Sequence, residues 1–268
     1  MEQFINKCIL GDAAEILQSF ENESVDLVVT SPPYDNLRHY NNSLDNWNHK
    51  TFQKIAEELA RVIKNGGVIV WNVADKVEKG SLTGTSMRQA LYFMECGLNL
   101  NDEMIWLKAN PLPVVSQPRY SPRYEKMFIF SKGKPNTFNP IMRPCKSAGL
   151  QYNSTVKIIG GESGRKHKSF TVNKETVDYN VWEFAVATNK VLYKMNDGRE
   201  IKHPAVFPME LPLRHIQSWT NEGDIVLDPF AGSGTTLLAA KELKRNFIGI
   251  EKNEDYYEII RQRLYNGK

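Results

Sequence analysis

Cysteine is scarce in this chain of 268 residues: there are three, Cys8, Cys96 and Cys145, odd in number and far apart. That excludes a disulfide framework, and no two of them have the spacing of metal ligands. Cys8 and Cys96 sit among apolar neighbours and read as core residues. Five histidines form no His-x-x-x-His pair, so no structural metal is expected. No apolar run approaches the length that crosses a bilayer. The first residues, Met1 to Lys7, lack a basic stretch followed by a long apolar one. A secretory signal is therefore not expected, and the reading is a cytoplasmic protein without a membrane partner. Internal repeats and low-complexity tracts are missing as well.

What is present is ordinary in amount, with 41% hydrophobic and 24% charged residues. That suffices for one large α/β domain with an insertion, or for two modest domains. The net charge of +3 is uninformative, but its distribution is not. Between Lys134 and Lys202, 12 Lys/Arg stand against 6 Asp/Glu, a net of +6, so the remainder carries −3. A basic segment on a slightly acidic body suits a polyanionic partner, although a solvated basic surface has the same signature.

Continuous apolar runs at 25–29, 67–71, 126–130, 224–227 and 246–250 read as buried strands. Helical periodicity lies between them. Phe52, Ile55, Ala56, Leu59 and Ile63 share one face of a helix that should stop near Gly66-Gly67. A second helix follows the glycines at 232 and 234. A third carries Tyr256, Ile260 and Leu264 behind Asn253 as N-cap. This alternation implies a doubly wound parallel sheet. The segment 134–202, rich in Asn, Lys, Gly and Ser, breaks the rhythm and reads as an inserted module outside that sheet, with 1–133 and 203–268 as the two halves of the main domain.

Three motifs carry chemistry. The strand at 25–29 runs into Thr30-Ser31-Pro32-Pro33-Tyr34. Ligands of open α/β sheets bind beyond the carboxyl ends of strands. The two prolines stiffen this corner and remove two N–H donors, leaving carbonyl acceptors, a serine hydroxyl and an aromatic face. Such a corner suits an amino group on a flat ring. Ser31 Oγ and the Pro32 carbonyl can accept its two N–H bonds and draw its lone pair out of conjugation, while Tyr34 stacks on the ring. A proline-stiffened turn is the plainer reading. The second motif, Asp228-Pro229-Phe230-Ala231-Gly232-Ser233-Gly234-Thr235-Thr236, is a strand, a glycine turn and a helix start, as in nucleotide-type cofactor loops. It is neither a Walker loop nor a dinucleotide fingerprint, since position 237 is Leu. Third, the strand at 246–250 ends in Glu251, where a carboxylate can accept both hydroxyls of a ribose; an acid at the start of the last helix is the plainer alternative.

Taken together, these motifs resemble the permuted (beta-class) amino-methyltransferases of DNA, in which the catalytic motif precedes the cofactor motif. The resemblance covers nearly the whole chain apart from the central insertion. It implies a Rossmann-like S-adenosylmethionine methyltransferase sheet with 134–202 in the place of a target-recognition module. It implies a catalytic role for Ser31, Pro32, Pro33 and Tyr34. Asp12 would bond the cofactor's adenine, and His203 and Pro204 would close over its methionine end. Asp228, Phe230, Gly232, Gly234 and Thr235 would line the pocket, with Glu251 on the ribose. Lys108 and Arg119 resemble loop residues beside the target base. Arg165, Lys166 and Lys168, in the flexible basic stretch 160–168, suit phosphate contacts, or simply an exposed loop.

The resemblance points to double-stranded DNA as partner, and beyond it to a cognate restriction endonuclease of a restriction–modification system and a second copy of the chain. Ser at position 31 favours cytosine N4 over adenine N6, with adenine N6 kept as the alternative. Methylation of RNA or of a protein amide, and a non-catalytic DNA-binding module with the same fold, are rival readings. Pro144-Cys145, the dipeptide of ring-carbon cytosine methyltransferases, lies inside the basic insertion and reads as chance.

Overall fold

Apolar strands alternate with amphipathic helices through most of the chain, and a computed structural model describes residues 1–33, 47–111, 118–157, 165–186, 191–195, 198–203 and 208–265. In chain order the elements are β1 (Lys7–Leu10), α1 (Ala13–Ile16), β2 (Val25–Thr30), α2 (His49–Val62), β3 (Ile63–Val73), β4 (Val77–Glu78), β5 (Ser81–Leu82), α3 (Thr85–Glu95), β6 (Asn99–Lys108) and β7 (Tyr124–Ser131). Then follow β8 (Met142–Pro144), β9 (Gln151–Lys157), β10 (Arg165–Thr171), β11 (Glu175–Val177), β12 (Val181–Phe184), β13 (Val191–Lys194) and β14 (Glu200–His203). Last come α4 (Glu210–Trp219), β15 (Ile225–Asp228), α5 (Thr235–Glu242), β16 (Asn246–Glu251) and α6 (Glu254–Tyr265). Among the described residues no helix is long and apolar enough to cross a membrane.

Eight strands form the main sheet in the order β1-β16-β15-β2-β3-β7-β6-β12. The unit β15-α5-β16 steps one way along this sheet and β2-α2-β3 steps the other. Crossovers of one hand therefore put α5 and α2 on opposite faces. In keeping with this, α2 packs against α1 and α3, and α5 against α4 and α6. The strand order reverses between β15 and β2, which pair in parallel through Val226 with Leu27 and Leu227 with Val28. Such a switch point leaves a crevice at the carboxyl ends of the strands.

Local sequence explains the helices that frame this crevice. The Asn48 side chain accepts the Lys50 and Thr51 N–H groups and starts α2, which buries Phe52, Ile55, Ala56, Leu59 and Val62. Against them lies a core of Trp71, Phe93 and Phe130. Asn253 caps α6, its side chain accepting from Tyr256 N at 3.1 Å.

Three details depart from the sequence reading. The helix ends at Val62 rather than near Gly66-Gly67, and Ile63 is the first residue of β3. It is fully buried there and pairs with Val25, and a register shift before the Leu27–Val68 pair absorbs the extra residues. The sheet is mixed, because β7 runs antiparallel to both β3 and β6. Finally, β12 lies within the segment that composition sets apart, yet it pairs in parallel with β6 in the main sheet and buries Trp182.

The chain divides into a large unit, Met1–Asn139 with Asn180–Lys268, and a small one, Pro140–Tyr179. Among the described residues, the small unit contains two antiparallel ribbons, β8 with β11 and β9 with β10. On the second ribbon Tyr152 and Phe170 pair across the strands with ring centroids 6.0 Å apart, and both are about half exposed. In the same unit the Arg143 guanidinium lies 3.8 Å from the Tyr179 ring centroid.

Gly249, in the middle of β16, lets α5 lie close on the sheet. A Cβ there would stand 2.5 Å from Leu237 Cδ1 and 3.3 Å from Ala231 Cβ. Gly249→Val should therefore destabilise the fold by about 1–3 kcal/mol through overpacking, read as a lower midpoint of chemical or thermal unfolding.

Candidate active site

β2 ends at Thr30, and its hydroxyl donates to Asp228 Oδ1 across the switch point at 2.6 Å. The Phe230 N–H donates to the same oxygen at 3.1 Å. One carboxylate thus ties the strand that feeds Ser31-Pro32-Pro33 to the loop that carries the glycines. A second link joins the start of α5 to β2, from Thr236 Oγ1 to the Val29 carbonyl at 3.3 Å. Pro32 is buried, with Ser31 and Pro33 partly so. Tyr34, the fourth residue of the expected catalytic corner, lies outside the described residues.

The glycine loop is shaped from both sides. Gly232 and Gly234 have φ of +55° and +81°. A Cβ at Gly234 would also meet Ile260 of α6 at 3.1 Å, so both backbone and packing favour glycine at that turn. Gly234 N–H bonds the Ala231 carbonyl at 2.7 Å, and Ala231 N–H bonds Ile250 O at 2.9 Å. Arg263 Nη1 donates to the Ser233 carbonyl. Thr235 opens α5 and is buried.

Glu251 closes β16 beneath this loop. Its two oxygens accept Gly232 N–H at 2.7 Å and Asn253 N–H at 2.8 Å. Asp12 stands just beyond β1, the strand beside β16, where Gly11 N–H bonds the Glu251 carbonyl at 2.9 Å. Its own carboxylate caps α1 through Ala14 N at 2.9 Å and pairs with Lys252 at 3.0 Å. Burial pushes the Asp228 acid up to about 6 against the hydrogen bonds of Thr30, Thr236 and Phe230 N–H, which hold it down. Burial also pushes Glu251 up to about 7, opposed by the N–H groups of Asn253 and Gly232, with the nearby Asp228 charge adding to the rise. An edge with two crowded, poorly solvated carboxylates suits a ligand that brings hydroxyl donors and positive charge.

The switch-point edge therefore unites Ser31, Pro32, Pro33, Asp12, Asp228, Phe230, Gly232, Gly234, Thr235 and Glu251. His203 ends β14, and Pro204 lies outside the described residues. Arg165, Lys166 and Lys168 are in β10 of the small unit. Lys108 and Arg119 are engaged within the large unit. The Lys108 ammonium is 2.8 Å from Glu125 Oε1, and Arg119 donates to the Gly80 carbonyl at 2.6 Å.

Sequence reading missed Trp47, whose indole meets the Phe230 ring edge-on at 5.4 Å, while Phe230 lies 6.2 Å from Trp71. No motif surrounds Trp47, which directly precedes the Asn48 cap of α2. Beside it a cavity of about 290 Å³ opens, lined by His49, Phe52, Lys76, Arg88 and Gln89 among others. Asn72 and Glu125, which hold a buried hydrogen bond at 3.0 Å, were missed as well.

A family model described as DNA methylase, for N6 and N4 methyltransferases, matches residues 25–262. The orphan methyltransferase M.BamHII of Bacillus amyloliquefaciens is 45% identical over 249 residues, covering 91% of this chain and 89% of that protein. Among solved structures, the cytosine-N4-specific PvuII DNA methyltransferase superposes with a TM-score of 0.69 at 22% identity, covering 98% of this chain and 93% of that one. A complex of M1.HpyAVI with S-adenosylmethionine gives 0.59 at 24% identity, covering 96% and 98%.

The raised acids give a pH dependence with a fixed sign. Each holds its proton more tightly in the fold than in the unfolded chain, so its contribution is present at low pH and lost as pH rises through the folded value. Stability of the ligand-free chain should fall between about pH 4.5 and about pH 7 for Glu251. The slope is at most about 1.4 kcal/mol per pH unit per group. Glu251→Gln should flatten that fall, as measured by denaturant titration across the window.

Proposed function

The chain belongs to the DNA methylase family of N6 and N4 methyltransferases, and from that premise we propose that Ser31, Pro32, Pro33 and Tyr34 grip the target amine while the glycine loop holds the methyl donor. The bond from Thr30 to Asp228 carries this reading, because it fixes the two motifs on one edge. When bound, S-adenosylmethionine supplies a methyl group on a positively charged sulfur. The residues at the edge fit it: Glu251 can accept two ribose hydroxyls, and Asp228 suits the ammonium of the methionine end. Phe230 and Trp47 offer apolar walls, while Asp12 keeps acceptor capacity beside Glu251 for an adenine amino group. His203 and Pro204 would complete the methionine end.

Only a base turned out of the duplex can reach a pocket at a sheet edge. Ser31 Oγ and the Pro32 carbonyl then accept the two N–H bonds of the amine. Its lone pair is thereby freed and aimed, and Tyr34 fixes the plane of the ring. No covalent bond to the protein is needed, and the amine's proton can leave to water. The target assigned here is cytosine N4. A neutral hydroxyl at position 31 leaves the cytosine ring nitrogen without an anion beside it, which a carboxylate would impose.

The small unit is assigned to DNA. It carries seven Lys/Arg against three Asp/Glu, a net of +4, and a two-stranded ribbon such as β9–β10 has the dimensions that enter a major groove. Phosphate contacts from Arg165, Lys166 and Lys168 on β10 would make binding strongly salt-dependent.

Labelled methyl transfer to duplex DNA, followed by nucleoside digestion and mass spectrometry, tests the reaction and the base together. N4-methylcytosine is expected. N6-methyladenine would overturn the base assignment, and an unlabelled product the reaction. Tyr34→Ala should lower turnover about a hundredfold while cofactor affinity changes little. Turnover within a few-fold of the parent would remove Tyr34 from the pocket.

A further inference from the structure

We propose that Lys108, Glu125 and Asn72 form a positioning network for the target base, in which Lys108 acts through Glu125 and not by contacting a DNA phosphate. The inference rests on the reading of Ser31-Pro32 as the amine-holding corner. Three neighbouring strands bring the network together at the edge that carries that corner. Thr30 pairs with Trp71, so Asn72 is the next residue of β3 just as Ser31 is the next residue after β2. The reversal of β7 puts its beginning at the same edge. There Trp106 pairs with Glu125 and Leu107 with Tyr124, one residue short of Lys108.

Glu125 is the hub. It is only 4% exposed, its Oε1 is 2.8 Å from Lys108 Nζ, and its Oε2 accepts Asn72 Nδ2 at 3.0 Å. The Lys108 ammonium also lies 5.6 Å from the centroid of the Trp106 ring, and Trp106 itself is buried and donates to the Phe184 carbonyl at 3.3 Å. The residues that follow are pinned in turn, Ala109 N–H on Phe184 O at 3.0 Å and Asn110 Oδ1 under Val186 N–H at 2.7 Å.

A buried ion pair is a poor way to hold strands together. Desolvation offsets most of its attraction, and apolar side chains of similar volume do as well or better. What the pair does supply is geometry, since a carboxylate with one partner on each side fixes three strand ends in one arrangement. A Lys108 that swung out to a phosphate would leave Glu125 buried without its cation, a strongly unfavourable state. The ammonium therefore stays inward. The network holds the part of the edge formed by β3, β7 and β6, across from Ser31-Pro32, against which a base gripped at its amine must rest.

The test compares Lys108→Met, Glu125→Gln, the double variant and Lys108→Arg in the full chain. Four quantities are read: single-turnover methyl transfer, duplex affinity across a salt series, cofactor affinity by calorimetry, and the unfolding midpoint. Each of the first two variants should slow single-turnover transfer by about tenfold to a hundredfold. The salt slope of DNA binding and the cofactor affinity should match the parent. The double variant should be no slower than the worse single one, because both break one unit, and Lys108→Arg should recover most of the rate. A normal rate in Lys108→Met with a salt slope lower by about one would show a phosphate contact and overturn the proposal. So would a loss of rate that merely tracks lost cofactor binding and a lower unfolding midpoint, since that marks a structural role. Failure of the parent chain to transfer methyl at all would instead refute the catalytic reading on which the network depends.

Discussion

One hydrogen bond organises the molecule: the hydroxyl of Thr30, at the tip of β2, donates to the buried carboxylate of Asp228, at the tip of β15, between residues 198 positions apart. Neither partner could be buried comfortably alone. Together they weld the start of the Ser31-Pro32-Pro33 corner to the start of the glycine loop, at the place where the sheet reverses its strand order. The permuted order of the motifs is harmless for this reason. The two strands are neighbours in space, and the chain's connections between them can run elsewhere.

The same edge is electrostatically unfinished. Asp228 and Glu251 are both buried and both pushed towards neutrality. The fold spends backbone N–H groups of Phe230, Gly232 and Asn253 on them and supplies no cation from the glycine loop itself. In the proposed reading, a ligand that brings a sulfonium, an ammonium and a ribose diol would complete that arrangement. Further along the edge the opposite solution appears at Glu125, whose charge is met inside the protein by Lys108 and Asn72. One stretch of the rim carries carboxylates without a cation from the glycine loop, and the next carries a carboxylate paired inside the protein.

Much of this was legible in the sequence, because the signals were local. Five apolar runs became strands of the main sheet, Asn253 caps α6, and the residues around Gly232 and Gly234 turn between β15 and α5. What escaped the sequence depends on partners distant along the chain. Nothing local says that β7 runs backwards, since an apolar strand reads the same in either direction. Val181–Phe184 looks like part of a polar insertion until Trp182 finds its place beside β6. Lys108 is placed beside the target base by the resemblance alone, and only the fold brings Glu125 to its ammonium. Trp47 belongs to no motif, yet it faces Phe230.

The most direct measurement is a crystal structure of the chain with S-adenosylmethionine, or its demethylated product, and a duplex carrying the target base. The expected result is a base outside the helix with its amino nitrogen between Ser31 and Pro32, about 3–3.5 Å from the position of the sulfonium methyl. Glu251 is expected on the ribose hydroxyls. A cofactor seated away from the Gly232 turn, or a methyl position screened from Ser31 by protein, would contradict it.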